Sequence, residues 1–219
     1  KLDFVVAGKR YVRLYTGDGN GGFNELYESE DKGADADLHS ISCVDIDNDG
    51  GIDVVVTDKG YNDIVVYKWI VRDFFNMYDA DETVDLKTGE EYRDVKAVDI
   101  DGDGDLDLVA CGGDELRLFT NDGDGTFVYS VIHDASGDDI FLVHPVDLDK
   151  DGLVDIVTLQ EGKLRWYKRD TSGDFTGYDI DTTLPNSDVY DMIVVDLDKD
   201  GDLDVVTLGV DLLLFKNSG

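Results

Sequence analysis

Apolar residues along this chain come in short runs of about five, many of them β-branched, and each run is closed by aspartate, asparagine or glycine. Such runs predict β-strands, whereas a membrane-crossing helix needs about 20 apolar residues in a row. Val54-Val55-Val56 and Val205-Val206-Thr207 each follow a carboxylate-rich segment, and Val95-Lys96-Ala97-Val98 precedes one. A second apolar run comes next and ends in an aromatic column: Tyr15, Tyr67, Phe119, Tyr167 and Phe215. Gly/Asp/Asn-rich turns at 17–23 and 121–127 then open a further strand. The pattern is all-β.

The carboxylate-rich segments are four copies of D-x-D-x-D-G-x-x-D that begin at Asp45, Asp99, Asp147 and Asp196, with steps of 54, 48 and 49 residues. A period of that size implies a solenoid, propeller or array. Four short strands per period make one propeller blade, so the expected fold is a β-propeller of about five blades with an acidic loop between the first and second strands of a blade.

Four carboxylates within nine residues repel one another unless a cation neutralises them. In a tight oxygen-donor loop, side chains at positions 1, 3 and 5 point inward, a glycine at 6 permits the turn, and the backbone carbonyl at 7 adds a ligand. The first loop supplies Asp45, Asp47, Asp49 and Gly51, with Asp53 at position 9; the second supplies Asp99, Asp101, Asp103, Asp105 and Asp107. The third supplies Asp147, Asp149, Asp151, Leu153 and Asp155, and the fourth Asp196, Asp198, Asp200, Asp202 and Asp204. No Cys or His is interleaved, which disfavours zinc and copper, and magnesium prefers fewer protein ligands. The expectation is about four Ca2+ ions.

An EF-hand shares the opening spacing but requires a bidentate glutamate at position 12. Val56, Ala110, Thr158 and Thr207 stand there, and the flanks are strands rather than helices. The loop therefore joins two β-strands.

Val98 to Val109, followed by Leu118 to Phe127, resembles the FG-GAP/VCBS repeat family of integrin-α-like β-propellers, and the likeness runs over essentially the whole chain. It implies a calcium loop between the first two strands of each blade and an extracellular adhesion or recognition module. The Phe-Gly-Gly-Ala-Pro stretch that names the family is absent, so integrin-style ligand recognition does not carry over.

The ends depart from the repeat. Leu2 to Val6 and Tyr11 to Tyr15 match the second and third strands of a blade, with Asp3 at position 9 but no loop before it. Leu212 to Phe215 matches a third strand, and Asn217-Ser218-Gly219 stops in the following turn. A single propeller domain over 1–219 with truncated repeats at both ends is expected. Three explanations stand open: strands hidden in irregular segments, a fragment, or edges completed by a neighbouring molecule through strand addition.

Composition narrows the partners. With 51 acidic against 19 basic residues the formal charge is −32, and four bound calcium ions would leave it near −24. Nucleic acid and anionic membranes suit such a surface poorly, leaving a protein or glycan ligand at the cell surface, divalent bridging between molecules, or simply a well-solvated acidic exterior. The chain opens on Lys1 without a leader, which fits a processed or trimmed secreted protein. Cys43 and Cys111 do not share a repeat position; a disulfide and two buried thiols are both open readings.

His39, His133 and His144 form no metalloprotease spacing, and no G-x-S-x-G is present. Gly112-Gly113-Asp114-Glu115 begins like a nucleotide-cyclase signature but continues with Leu116 inside a hairpin pattern. No catalytic site is expected. Trp69, Phe74, Phe75 and Tyr78 sit where the period stretches to 54 residues, a place where an insertion would carry aromatic rings for sugar stacking, which keeps a propeller lectin as the alternative.

Overall fold

In a computed structural model the chain forms five antiparallel sheets, and the structure describes residues 3–29, 31–68, 91–134, 137–184, 189–209 and 211–218. The first sheet holds β1 (Asp3–Ala7), β2 (Val12–Gly17) and β3 (Phe23–Glu28); the second holds β4 (Leu38–Val44), β5 (Asp53–Asp58) and β6 (Asp63–Tyr67). The third comprises β7 (Tyr92–Val98), β8 (Asp107–Gly112), β9 (Glu115–Asn121) and β10 (Phe127–Asp134). The fourth comprises β11 (Ile140–Val146), β12 (Asp155–Gln160), β13 (Lys163–Arg169) and β14 (Phe175–Asp181), and the fifth β15 (Val189–Val195), β16 (Asp204–Gly209) and β17 (Leu212–Phe215). Strands within each sheet follow chain order, and no helix occurs among the described residues. The aromatic-rich segment around Trp69 to Tyr78 lies outside the described residues.

Register explains the repeat. The residue after the ninth-position aspartate pairs with the aromatic column in every sheet: Phe4 with Tyr15, Val54 with Tyr67, Leu108 with Phe119, Ile156 with Tyr167 and Val205 with Phe215. Residues 3–28 thus supply the second, third and fourth strands of a repeat, with β1 equivalent to β5, β8, β12 and β16.

Successive sheets pack face to face, and each junction has its own apolar cluster. Val54, Val56 and Tyr67 join the first sheet's Val12 and Val5; Ile46 and Val66 meet Tyr92, Val95 and Phe119; Val109 and Leu116 meet Ile140 and Tyr167; Val157 and Leu164 meet Met192 and Val205. The second strand of a repeat is therefore covered on both faces, and β5, β8 and β12 are buried at every residue. That is why they read as continuous apolar runs instead of alternating ones. A buried carboxylate also ties the inner strands together: Asp94 on β7 accepts from Ser40 Oγ on β4 at 2.6 Å and from the Val143 amide on β11 at 3.2 Å.

Two faces break the pattern. Ile46, Ile100 and Leu148, at loop position 2, are buried, whereas their counterpart Leu197 is 52% exposed; Leu116 and Leu164 are buried, whereas Leu212 is 70% exposed. At the other end Phe4 and Val6 are exposed while the equivalent Val54 and Val56 are buried. Among the described residues no sheet covers these two faces. Cys43 on β4 is an exposed free thiol and Cys111 on β8 a buried one, so the disulfide reading is dropped and the buried-thiol reading holds for Cys111 alone.

Candidate metal centres

All four aspartate loops have one internal wiring. The first aspartate accepts from the glycine amide at position 6: Gly50 to Asp45 at 3.0 Å, Gly104 to Asp99 at 3.1 Å, Gly152 to Asp147 at 2.9 Å and Gly201 to Asp196 at 3.1 Å. These glycines have φ between 90° and 100°, a left-handed conformation that turns the chain back on its own carboxylate. Position 3 accepts from the amide of position 5, and position 5 from that of position 7, as in Asp103 to Asp101 at 3.2 Å and Asp105 to Asp103 at 2.9 Å. Each loop is thus a chain of turns whose amides hold carboxylates in place.

The aspartate at position 9 is a clamp. Asp107 uses one oxygen for the Ile100 amide at 3.0 Å and the other for the Asn121 amide at 2.9 Å. Asp155 repeats this with Leu148 at 3.3 Å and Arg169 at 2.8 Å and also takes the Trp166 indole N–H at 2.9 Å; Asp204 repeats it with Leu197 at 3.1 Å and Asn217 at 3.0 Å. Loop and third strand are fastened through one buried side chain. Burial pushes the Asp107 and Asp155 carboxyls above the usual range, against the pull of these amides.

Side chains at positions 1, 3 and 9 converge. Asp45, Asp47 and Asp53 present oxygens all within 4.8 Å of one another, as do Asp99, Asp101 and Asp107, then Asp147, Asp149 and Asp155, then Asp196, Asp198 and Asp204. Position 5, namely Asp49, Asp103, Asp151 and Asp200, lies in the same loops but outside the convergent trios. Two first-position oxygens, Asp45 Oδ1 and Asp196 Oδ1, are buried with no hydrogen-bond partner. A buried carboxylate oxygen without a donor is costly, and an oxygen-only trio suits a hard divalent cation. These clusters could hold metal ions.

Three lysines that the sequence pattern did not flag reach the loops. Lys168 Nζ pairs with Asp149 and lies 2.8 Å from Asp151 Oδ2; Lys216 Nζ pairs with Asp198 and lies 3.6 Å from Asp200 Oδ2; Lys68 Nζ lies 3.8 Å from Asp47 Oδ2. Their carboxylate partners raise the Lys168 and Lys216 ammonium groups above the ordinary range, Lys168 strongly, and Lys168 in turn lowers Asp151. The signal was available: each lysine directly follows the aromatic column. Neighbouring loops also touch, through Asn48 Nδ2 to Asp105 at 2.7 Å and Lys150 Nζ to Asp202 at 2.7 Å.

The FG-GAP-like repeat family matches residues 1–56, 99–158 and 147–207, together more than half of the chain. The protein belongs to the FG-GAP-like repeat family. Its repeat is offset from the sheets by one strand, since each of the two later matches begins at the first aspartate of a loop, just after the first strand of a sheet, and runs through the next loop. Among solved structures, an Agrocybe aegerita lectin described by its specific recognition of non-reducing terminal N-acetylglucosamine is similar, with a TM-score of 0.58 and 20% identity over 94% of this chain and 57% of the lectin. At that identity the likeness is one of fold, and the FG-GAP chain spans little more than half of the lectin's length. The Tc holotoxin pore of Photorhabdus luminescens aligns with a TM-score of 0.41 and 18% identity, over 97% of this chain and 10% of the toxin. No curated protein matches the chain in sequence.

Proposed function

We propose that this protein is a calcium-stabilised β-propeller module, secreted or held at the cell surface, that recognises a protein or glycan without catalysis. The observation that carries the calcium reading is the fourfold repetition of one wired aspartate trio, two of whose buried oxygens lack any donor. About four Ca2+ ions would bind, one per loop. Asp45, Asp47 and Asp53 and their equivalents would supply side-chain oxygens, with the position 5 aspartates and the carbonyls of Gly51, Asp105, Leu153 and Asp202 completing each shell. Membership of the repeat family and the fold shared with a glycan-binding lectin support a recognition role. The test is direct: a glycan array and a pull-down from cell-surface extract, each run in calcium and in EDTA. Calcium-dependent retention of one ligand class is expected; turnover of a polysaccharide or phosphoester by the calcium-loaded protein would overturn the reading.

A second reading concerns self-assembly, and the two uncovered faces favour it. Leu197, Leu208, Leu212 and Leu214 on the fifth sheet stand where other sheets bury their junctions, and Phe4, Val6 and Phe23 on the first sheet do the same from the opposite side. Each face matches one half of the junctions already formed, so the fifth sheet of one copy would take the first sheet of another. Sedimentation of the wild type and of a Leu212→Glu/Leu214→Lys double variant tests this. Association lost in the variant is expected, and a monomeric wild type would reject it.

A further inference from the structure

The geometry points to unequal calcium sites: a lysine built into the first, third and fourth loops competes with the metal, and the second loop, which has none, fills first. This rests on reading the loops as calcium sites.

The position that follows the aromatic column is Lys68, Thr120, Lys168 and Lys216 in the four loop-bearing sheets. Because the aromatic residue pairs with the neighbour of the ninth-position aspartate, the next side chain stands beside the loop in every repeat. Lys168 and Lys216 use that position to reach the aspartates at both position 3 and position 5 of their loops, and Asp149 and Asp198 belong to the convergent trios. A dication drawn to either trio meets an ammonium already seated on one of its ligands. It must displace that group or tolerate like charge a few ångströms away in a partly desolvated loop.

The loops then rank by charge. The fourth has two lysines, since Lys150 from the third loop also reaches Asp202 at 2.7 Å. The third has Lys168 on two carboxylates. In the first, Lys68 lies 3.8 Å from Asp47 and donates at 3.1 Å to the Asp124 carbonyl of the next sheet, so its grip is weaker. In the second loop, Thr120 turns its hydroxyl to the Val128 carbonyl at 3.1 Å, and among the described residues no lysine or arginine pairs with Asp99, Asp101, Asp103, Asp105 or Asp107. The side chains that do reach it are neutral amides, Asn48 on Asp105 and Asn121 on the Leu106 carbonyl. Five aspartates without a competing cation give the highest local charge, and ligand charge sets calcium affinity in oxygen loops.

Calorimetric titration of the full chain with calcium chloride, with stoichiometry read by native mass spectrometry, tests this. The expected wild-type profile is one tight site followed by weaker ones, separated by about tenfold or more. In a Lys168→Gln/Lys216→Gln variant, two weak sites should tighten by a similar factor, and Thr120→Lys should weaken the tight site alone. Four equivalent sites in the wild type, or lysine variants with unchanged affinities, would overturn the inference while leaving the calcium reading intact. An absence of calcium binding would remove both. Circular dichroism of each variant before titration separates an affinity change from misfolding.

Discussion

Asn121 and Ile46 are joined across two sheets: the Asn121 amide at the end of β9 donates to the Ile46 carbonyl in the first aspartate loop at 2.7 Å. The same amide donates to Leu106 O at 3.0 Å, and its oxygen accepts from the Gly123 and Gly125 amides at 3.1 and 2.9 Å. One buried side chain therefore holds a loop of the second sheet, a loop of the third and the turn that opens β10. Asn121→Ala leaves these buried groups unpaired and should cost about 3 kcal/mol of unfolding free energy, read by urea denaturation. A loss below about 0.5 kcal/mol would show that water replaces the amide fully.

The clamp at position 9 separates fold from metal. Asp107→Ala strips two buried backbone amides of their acceptor and should destabilise the protein by about 3 kcal/mol even in EDTA. Asp101→Ala, which removes an exposed carboxylate from the same trio, should leave the melt in EDTA almost unchanged and lower it only in calcium. Equal behaviour of the two variants in EDTA would contradict the clamp.

Chelation should lower the melting temperature of the wild type. Taking a dissociation constant of ~10 μM and ~1 mM calcium, each occupied site adds about 2.7 kcal/mol, a large part of the ~5–15 kcal/mol that a domain usually has. Differential scanning calorimetry in calcium and in EDTA measures it, and superimposable melts would end the calcium proposal.

Gly152 tests the loop conformation. Its φ is 90°, and a Cβ there would meet nothing within 4 Å, so the barrier to substitution is the backbone conformation and not a clash. Gly152→Ala should cost about 1–2 kcal/mol, measured by denaturant titration in EDTA, and weaken calcium uptake at the third loop. A neutral result in both would mean that the turn relaxes freely.

A pH dependence follows from His144 on β11. Burial, and then the charge of Lys96, hold its pKa below the ordinary value, with Asp94 pulling the other way. The unfolded chain takes up this proton first, at about pH 6.5, so stability falls as the pH drops from there towards the lower folded value. His144→Asn should make the melting temperature fall less between pH 7 and pH 5.5 than it does in the wild type. Parallel curves would place the acid sensitivity elsewhere.

Much of this molecule is written along the chain. Aspartate spacing, the glycine at position 6 and the β-branched runs are local, and local chemistry fixes the turn, the strands beside it and the convergence of Asp45 with Asp47 or Asp99 with Asp101. The aromatic column could be read because one register repeats in all five sheets. Other features depend on which sheet packs beside which. The sequence cannot say that Asn121 meets Ile46, that Thr120 gives its hydroxyl to the Val128 carbonyl, or that Leu197 is exposed where Ile46, Ile100 and Leu148 are buried. Those contacts join residues from different strands and sheets, and only packing brings them within reach. Repetition sets the unit; the stacking of unlike neighbours decides how each copy differs.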